Sequence, residues 1–192
     1  RHAGVPVWNG LTDLYHPTQA LADVLTMMEN TAKPLSELKL VYMGDARNNV
    51  ANSLMIIAAK LGMAYTAIAP KALFPDPALV EEMQQVAGET GARLAFSESV
   101  DAVEGADAVY TDVWVSMGEG DVFEERIRLL EAYRVTSDVM NRANNPHVIF
   151  LHCLPSFHDL ETEVGREVHE KYGLTEMEVT DEVFRSRNSK VF

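Results

Sequence analysis

The sequence predicts a doubly wound α/β fold, a mainly parallel five-stranded sheet in the order 3-2-1-4-5 with helices on both faces. Two observations predict it. Short apolar, β-branched runs alternate along the chain with segments of helical periodicity, and the transitions carry glycine, proline or capping residues. No internal repeat or low-complexity tract interrupts the alternation.

Each element has its own signal. Leu21, Val24, Leu25 and Met28 recur at helical spacing behind Pro17, which suits a first turn. Leu40 to Met43 reads as a buried strand halted by Gly44-Asp45. Val50 to Leu61 is a mostly apolar helix stopped by Gly62, and Tyr65 to Ala69 is the second strand. Asp76-Pro77 starts a helix through Leu79, Met83, Val86 and Ala87. Leu94 to Phe96 is a strand, Val100 to Val103 a short helix, and Ala108 to Thr111 the fourth strand. Phe123, Ile127 and Leu130 mark a helix with a charged outer face. Val148 to Leu151 is the fifth strand, followed by a helix from about Thr162 to Tyr172 with Gly173 behind it. The tail from Glu182 to Phe192 shows neither a cap nor a closing helix. The whole is Rossmann-like, read as one domain over residues 1–192.

Composition narrows the function. Hydrophobic residues make up 47% and charged residues 23%, values of a globular chain with a sizeable core. A net charge of -13, from 16 basic and 29 acidic residues without a basic patch, argues against nucleic acid. No apolar run approaches the ~20 residues of a membrane span, and the start is not a signal peptide. One cysteine excludes an internal disulfide and suits a reducing cytoplasm. The first residue is not Met, so the chain is expected to begin partway through a longer protein.

In an open α/β sheet, ligands bind beyond the carboxyl ends of the strands, near the point where strand order reverses. The rich ends are Gly44-Asp45-Ala46-Arg47-Asn48-Asn49, Thr111-Asp112 with Ser116-Met117-Gly118, and His152-Cys153-Leu154-Pro155. They follow strands 1, 4 and 5, which the order 3-2-1-4-5 makes neighbours, so they converge on one crevice. The first end is also readable as a turn with Asn48 or Asn49 capping a helix, and it lacks the glycines of a dinucleotide fingerprint. Asp112 after an apolar strand needs a cation or hydrogen-bond donors, and a ligand ammonium or a helix cap would serve. Cys153 reads either as a buried hydrophobe or, with His152 and His158, as part of a zinc site whose spacing fits no standard pattern.

Three motifs carry a resemblance. His16-Pro17-Thr18-Gln19 resembles the shared motif of aspartate and ornithine carbamoyltransferases. Asp112-Val113-Trp114-Val115-Ser116-Met117-Gly118 and His152-Cys153-Leu154-Pro155 resemble the forms found in the ornithine enzymes, and the likeness runs along nearly the whole chain. The resemblance implies transfer of the carbamoyl group of carbamoyl phosphate to the δ-amine of L-ornithine, giving citrulline and phosphate in arginine metabolism, without metal or cofactor. It implies that His16 bonds the carbonyl oxygen of carbamoyl phosphate and Gln19 its amide nitrogen, with the backbone carbonyls of Cys153 and Leu154 accepting from the same NH2. Asn49, Asp112, Ser116 and Met117 would hold the amino-acid end of ornithine, Asp112 facing its α-ammonium, and Cys153 would lie beside the reacting amine. Cys153, Asp112 and His16 are thus the catalytic candidates.

The family's Ser-x-Arg-Thr phosphate motif is absent from this sequence. The resemblance implies that an N-terminal carbamoyl-phosphate domain and a final C-terminal helix lie outside it, that the chain alone is inactive, and that the complete enzyme is a homotrimer or a multiple of one. Two other readings stand beside this one: an ornithine-binding or assembly module without catalysis, and a carbamoyltransferase for another amino acid.

Overall fold

The computed structural model describes residues 4–115 and 123–192. Five strands form one sheet in the order β3-β2-β1-β4-β5: β1 is Lys39–Met43, β2 Ala64–Ile68, β3 Arg93–Ser97, β4 Ala108–Thr111 and β5 Ile149–His152. Every pairing is parallel, with Val41 opposite Thr66 on one side and Val109 on the other. The expected order and direction are both observed.

Burial follows position in the sheet. Leu40, Val41, Tyr42 and Met43 are fully buried, as are Val109 and Tyr110, because helices cover both faces of the central strands. Each such side chain contributes about 1.5–3 kcal/mol through apolar burial. The edge strand β3 is only partly buried. The opposite edge, β5, is covered: Phe150 N donates to Asn188 O at 2.8 Å and Lys190 N donates to Phe150 O at 2.9 Å.

The helices are α1 (Pro17–Asn30), α2 (Asn49–Lys60), α3 (Pro77–Thr90), α4 (Phe123–Leu130), α5 (Ser137–Arg142), α6 (Glu163–Tyr172) and α7 (Asp181–Phe184). Helix α2 packs against both α1 and α3, while α5 packs against a 3-10 turn at Val100–Val103. The right-handed crossover rule puts these two groups on opposite faces. Capping sets the helix ends. Asn48, Asp76, Thr136 and Thr162 each accept from a backbone N–H in the first turn, and α3 and α6 end on left-handed Gly91 and Gly173.

Two expectations change. The stripe of α1 lies elsewhere: Ala20, Asp23, Val24 and Met27 are buried, whereas Leu21, Leu25 and Met28 stay more than half exposed. The inward face follows the docking onto α2, which periodicity alone does not reveal. The tail from Glu182 is also structured, since α7 occupies its start and its later backbone bonds β5. Those bonds join segments far apart in sequence, so no local signal announces them.

Candidate active site

The site is built at the carboxyl ends of β1, β4 and β5, as the topology requires. After β1 the chain turns through Gly44, whose φ of +137° disfavours any side chain. Asp45 then accepts from Arg47 N at 3.0 Å and from Arg47 Nε at 3.2 Å, and it pairs with Arg126 of α4. Asn48 Oδ1 caps α2 by accepting from Ala51 N at 2.7 Å. Its amide is left to donate to the Tyr42 hydroxyl at 2.8 Å and to Asp112 Oδ2 at 3.1 Å. The cap and the β4 carboxylate are thereby one assembly.

At the end of β4, Thr111 Oγ1 donates to Met43 O at 2.7 Å and locks β4 to β1. Asp112 is 9% exposed and accepts from Val113 N at 2.8 Å through Oδ1. Burial pushes its carboxyl up to about 6, against the positive charge of His152 and the hydrogen bonds from Val113 and Asn48. Its two oxygens accept from two donors, Asn48 Nδ2 and Val113 N, with no cationic side chain in hydrogen-bonding contact among the described residues. An ammonium ligand would meet that need.

At the end of β5, Cys153 N donates to Thr111 O at 3.4 Å, drawing the cysteine beside Asp112. Burial pushes the Cys153 thiol up to about 12, and the Asp112 and Asp23 carboxylates push it further in the same direction. At neutral pH it is a protonated thiol, unsuited to form an acyl intermediate. Leu154 is half exposed and joins Pro155 through a cis peptide.

His152 and Glu178 form a buried pair behind this wall. Glu178 is fully buried, and its Oε1 accepts from His152 Nε2 at 3.0 Å, Ser156 Oγ at 2.9 Å and Phe157 N at 2.6 Å. Burial favours the acid, yet the hydrogen bond and charge of His152 hold the carboxyl below its usual range. His152 Nδ1 lies 2.6 Å from Cys153 O, so the ring spans the Glu178 carboxylate and the Cys153 carbonyl. The Cys153 carbonyl is thereby held against the His152 ring.

Helix α1 supplies the fourth wall. His16 Nδ1 donates to Gly10 O at 2.7 Å, and its backbone N–H donates to Ser53 Oγ at 2.8 Å. Ser53 Oγ in turn donates to Asn49 O at 2.7 Å, while Asn49 Nδ2 donates to Thr12 O at 2.8 Å. His16 and Asn49 are thus brought together at the head of α2, and these hydrogen bonds run within this segment rather than to Asp112 or Cys153. Gln19 Nε2 donates to Asp23 Oδ1 at 2.9 Å. Asp23 is buried, and its charge acts on both Asp112 and Cys153. Ser116 and Met117 lie outside the described residues.

The zinc alternative does not assemble, because both ring nitrogens of His152 are engaged by Glu178 and Cys153 O. Among the described residues, one group of metal-ligand type clusters: His158, Asp159 and Asp181. Arg185 bonds both of its carboxylates, at 3.0 and 2.7 Å, and His158 stacks on Phe184 with centroids 3.7 Å apart. That cluster is an ion-pair network.

Sequence reading missed Asp23 and Glu178. Each is a lone acid among apolar positions, Ala22-Asp23-Val24 and Met177-Glu178-Val179, a pattern that costs free energy unless the acid is partnered. Asn48 was visible only as a capping candidate.

With this geometry in view, the family comparison is decisive. Residues 36–192 match the model of the aspartate/ornithine carbamoyltransferase Asp/Orn binding domain. The chain belongs to the aspartate/ornithine carbamoyltransferase family. Residues 1–29 match that family's carbamoyl-P binding domain, so α1 carries sequence of the one domain while packing on α2 of the other. The catabolic ornithine carbamoyltransferase of Clostridium perfringens is 56% identical over the whole chain, and that of Bacillus licheniformis 57%. The chain spans 59% and 57% of the length of these two relatives. Among solved structures, the ornithine carbamoyltransferase of Pyrococcus furiosus aligns with a TM-score of 0.82 at 39% identity, over 99% of this chain and 55% of that one. The enzyme of Gloeobacter violaceus aligns with a TM-score of 0.80 at 37% identity, over 99% and 57%.

Proposed function

We propose that this chain supplies the ornithine side, and part of the carbamoyl side, of an ornithine carbamoyltransferase. In this reading the whole protein converts L-ornithine and carbamoyl phosphate to citrulline and phosphate. The observation that carries it is the buried Asp112 carboxylate beside the protonated Cys153 thiol, an acid without a bonded cation next to a group that cannot itself attack. The names of the relatives point to the same chemistry.

The roles follow from donor and acceptor types. Asp112 pairs with the α-ammonium of ornithine, with Asn49, Ser116 and Met117 completing the amino-acid contacts. The Cys153 and Leu154 carbonyls accept from the carbamoyl NH2, and Gln19 addresses the same nitrogen. His16 stabilises the carbonyl oxygen. Its Nδ1 proton is committed to Gly10 O, so donation through Nε2 requires the imidazolium.

The neutral δ-amine attacks the carbamoyl carbon and forms a C–N bond. Negative charge grows on the carbonyl oxygen, where a donor typically contributes about 100- to 1000-fold in rate. The tetrahedral centre collapses, the C–O bond to phosphate breaks, and the amine proton leaves with the phosphate or to solvent. No helix of the described residues is long and apolar enough to cross a membrane. A cytoplasmic setting and the trimeric assembly implied by the family are part of the proposal.

The test is citrulline formation by the full-length gene product with ornithine and aspartate as competing acceptors. Carbamoylation of ornithine, weakened in Asp112→Asn with a raised ornithine KM, is expected. Preference for aspartate would overturn the reading.

A further inference from the structure

Asp23 stands out as a buried acid that the reaction does not use. It is 4% exposed, and its hydrogen bond of regular geometry is the one Oδ1 accepts from Gln19 Nε2, one helical turn earlier. Oδ2 and the nearby Tyr110 hydroxyl are both buried without a hydrogen bond of that quality, although the hydroxyl lowers the Asp23 pKa and the Asp23 charge raises that of Tyr110. Nothing in the packing of α1 calls for a carboxylate here, since its neighbours on the buried face are Ala20, Val24 and Met27.

The chemistry of the pair gives it a use. An ionised carboxylate accepts hydrogen bonds and donates none, whereas a glutamine amide offers a donor end and an acceptor end. A buried acid beside Gln19 therefore dictates which end turns inward. With Nε2 held by Asp23, the atom left for a ligand is Oε1, an acceptor. Resting on the reading that Gln19 meets the carbamoyl NH2, we propose that Asp23 is a positioning residue that sets the polarity of the Gln19 amide. It presents Oε1 to an NH2 group and thereby selects a carbamoyl donor over an acyl donor such as acetyl phosphate, which has a methyl group at that place.

Burial pushes the Asp23 carboxyl up to about 7, with the nearby Asp112 charge adding to the rise and the Gln19 and Tyr110 groups opposing it. At pH 8 it is mostly ionised and acts only as an acceptor. A site that hydrogen-bonds a substrate NH rejects the analogue lacking it, because the acceptor is then left buried and unpaired.

The experiment uses the full-length gene product at pH 8, measuring KM for carbamoyl phosphate, KM for ornithine and inhibition by acetyl phosphate. Asp23→Asn is isosteric but no longer forces one amide orientation. It is expected to raise the carbamoyl-phosphate KM by about tenfold, to leave the ornithine KM within about twofold, and to narrow the preference over acetyl phosphate. The exchanged pair Gln19→Glu with Asp23→Asn again turns an acceptor inward, because the new amide at 23 donates to the new carboxylate at 19. It should recover most of the preference. An Asp23→Asn protein with unchanged carbamoyl-phosphate KM, or equal losses for both substrates, overturns the proposal, as does an exchanged pair that folds without recovery. Gln19→Ala separates the two levels. If it raises the carbamoyl-phosphate KM while Asp23→Asn does not, the assignment of Asp23 alone fails. If both are silent, the placement of Gln19 fails and the polarity argument falls with it.

Discussion

Asn48 holds the Asp112 carboxylate with the same side chain that starts α2: Oδ1 caps Ala51 N at 2.7 Å while Nδ2 donates to Asp112 Oδ2 at 3.1 Å. Secondary structure and ligand recognition therefore share one residue. Asn48→Ala should lower stability by about 0.5–2 kcal/mol through the lost cap and should also raise the ornithine KM. Asn48→Asp is the sharper variant, because an aspartate keeps the cap but sets a second carboxylate against Asp112. Thermal melts near the parent value with ornithine KM raised at least as far as in Asn48→Ala are expected. A silent Asn48→Asp would disprove the coupling.

The pH dependence of ornithine binding has a definite sign. Burial raises the Asp112 carboxyl from 3.8 to about 6, so the native protein holds a proton there that the unfolded chain has released. Ornithine affinity should fall as pH drops through about 6, where the carboxylate is neutralised. Folding stability runs the other way: this group's contribution declines as pH rises from about 4 to 6, by on the order of a few kcal/mol at most. Asp112→Asn should flatten that part of the stability curve, measured by urea unfolding at pH 4 and pH 7. An unchanged slope would exclude Asp112 as its source.

Glu178 is fully buried and answers three donors at once. Glu178→Ala would leave the buried His152 Nε2, Ser156 Oγ and Phe157 N without their shared partner. Breaking a buried pair in this way typically costs 3–5 kcal/mol, about enough to unfold a marginal domain. Glu178→Gln keeps an acceptor and should be clearly milder. Equal melting temperatures for both variants would refute the buried ion pair.

Cys153 should be a sluggish thiol. With its pKa pushed up to about 12, the thiolate fraction at pH 8 is about one in ten thousand, and the residue is 8% exposed. Iodoacetamide labelling followed by mass spectrometry should find it orders of magnitude slower than free glutathione. Labelling at the rate of a simple thiol would show that burial beside the Asp112 and Asp23 carboxylates does not hold the thiol protonated.

Most of the sheet was legible because parallel strands buried on both faces read as continuous apolar runs, as in Leu40 to Met43. The convergence of Asp112 with Cys153 was legible too, since strand order alone makes β4 and β5 neighbours. What escaped was relational. Asp23 looks like the polar face of a helix until α1 is docked, and Glu178 acquires meaning only once His152 is folded against it. The stripe of Leu21, Val24, Leu25 and Met28 named the helix, but only Val24 of the four lies on its buried face, which depends on the partner surface.

The strand-like stretch of the tail has a role outside the site. Phe150 exchanges backbone hydrogen bonds with Asn188 and Lys190, and Asn188 Nδ2 donates to Val148 O at 2.7 Å. An uncovered outer strand with the apolar sequence Ile149-Phe150-Leu151 would be an open template for a second chain. Residues 186–190 close that template, so the segment serves as a safeguard against intermolecular strand addition. Variants that loosen it should reveal themselves first as turbidity on concentration, before any change in affinity for a substrate.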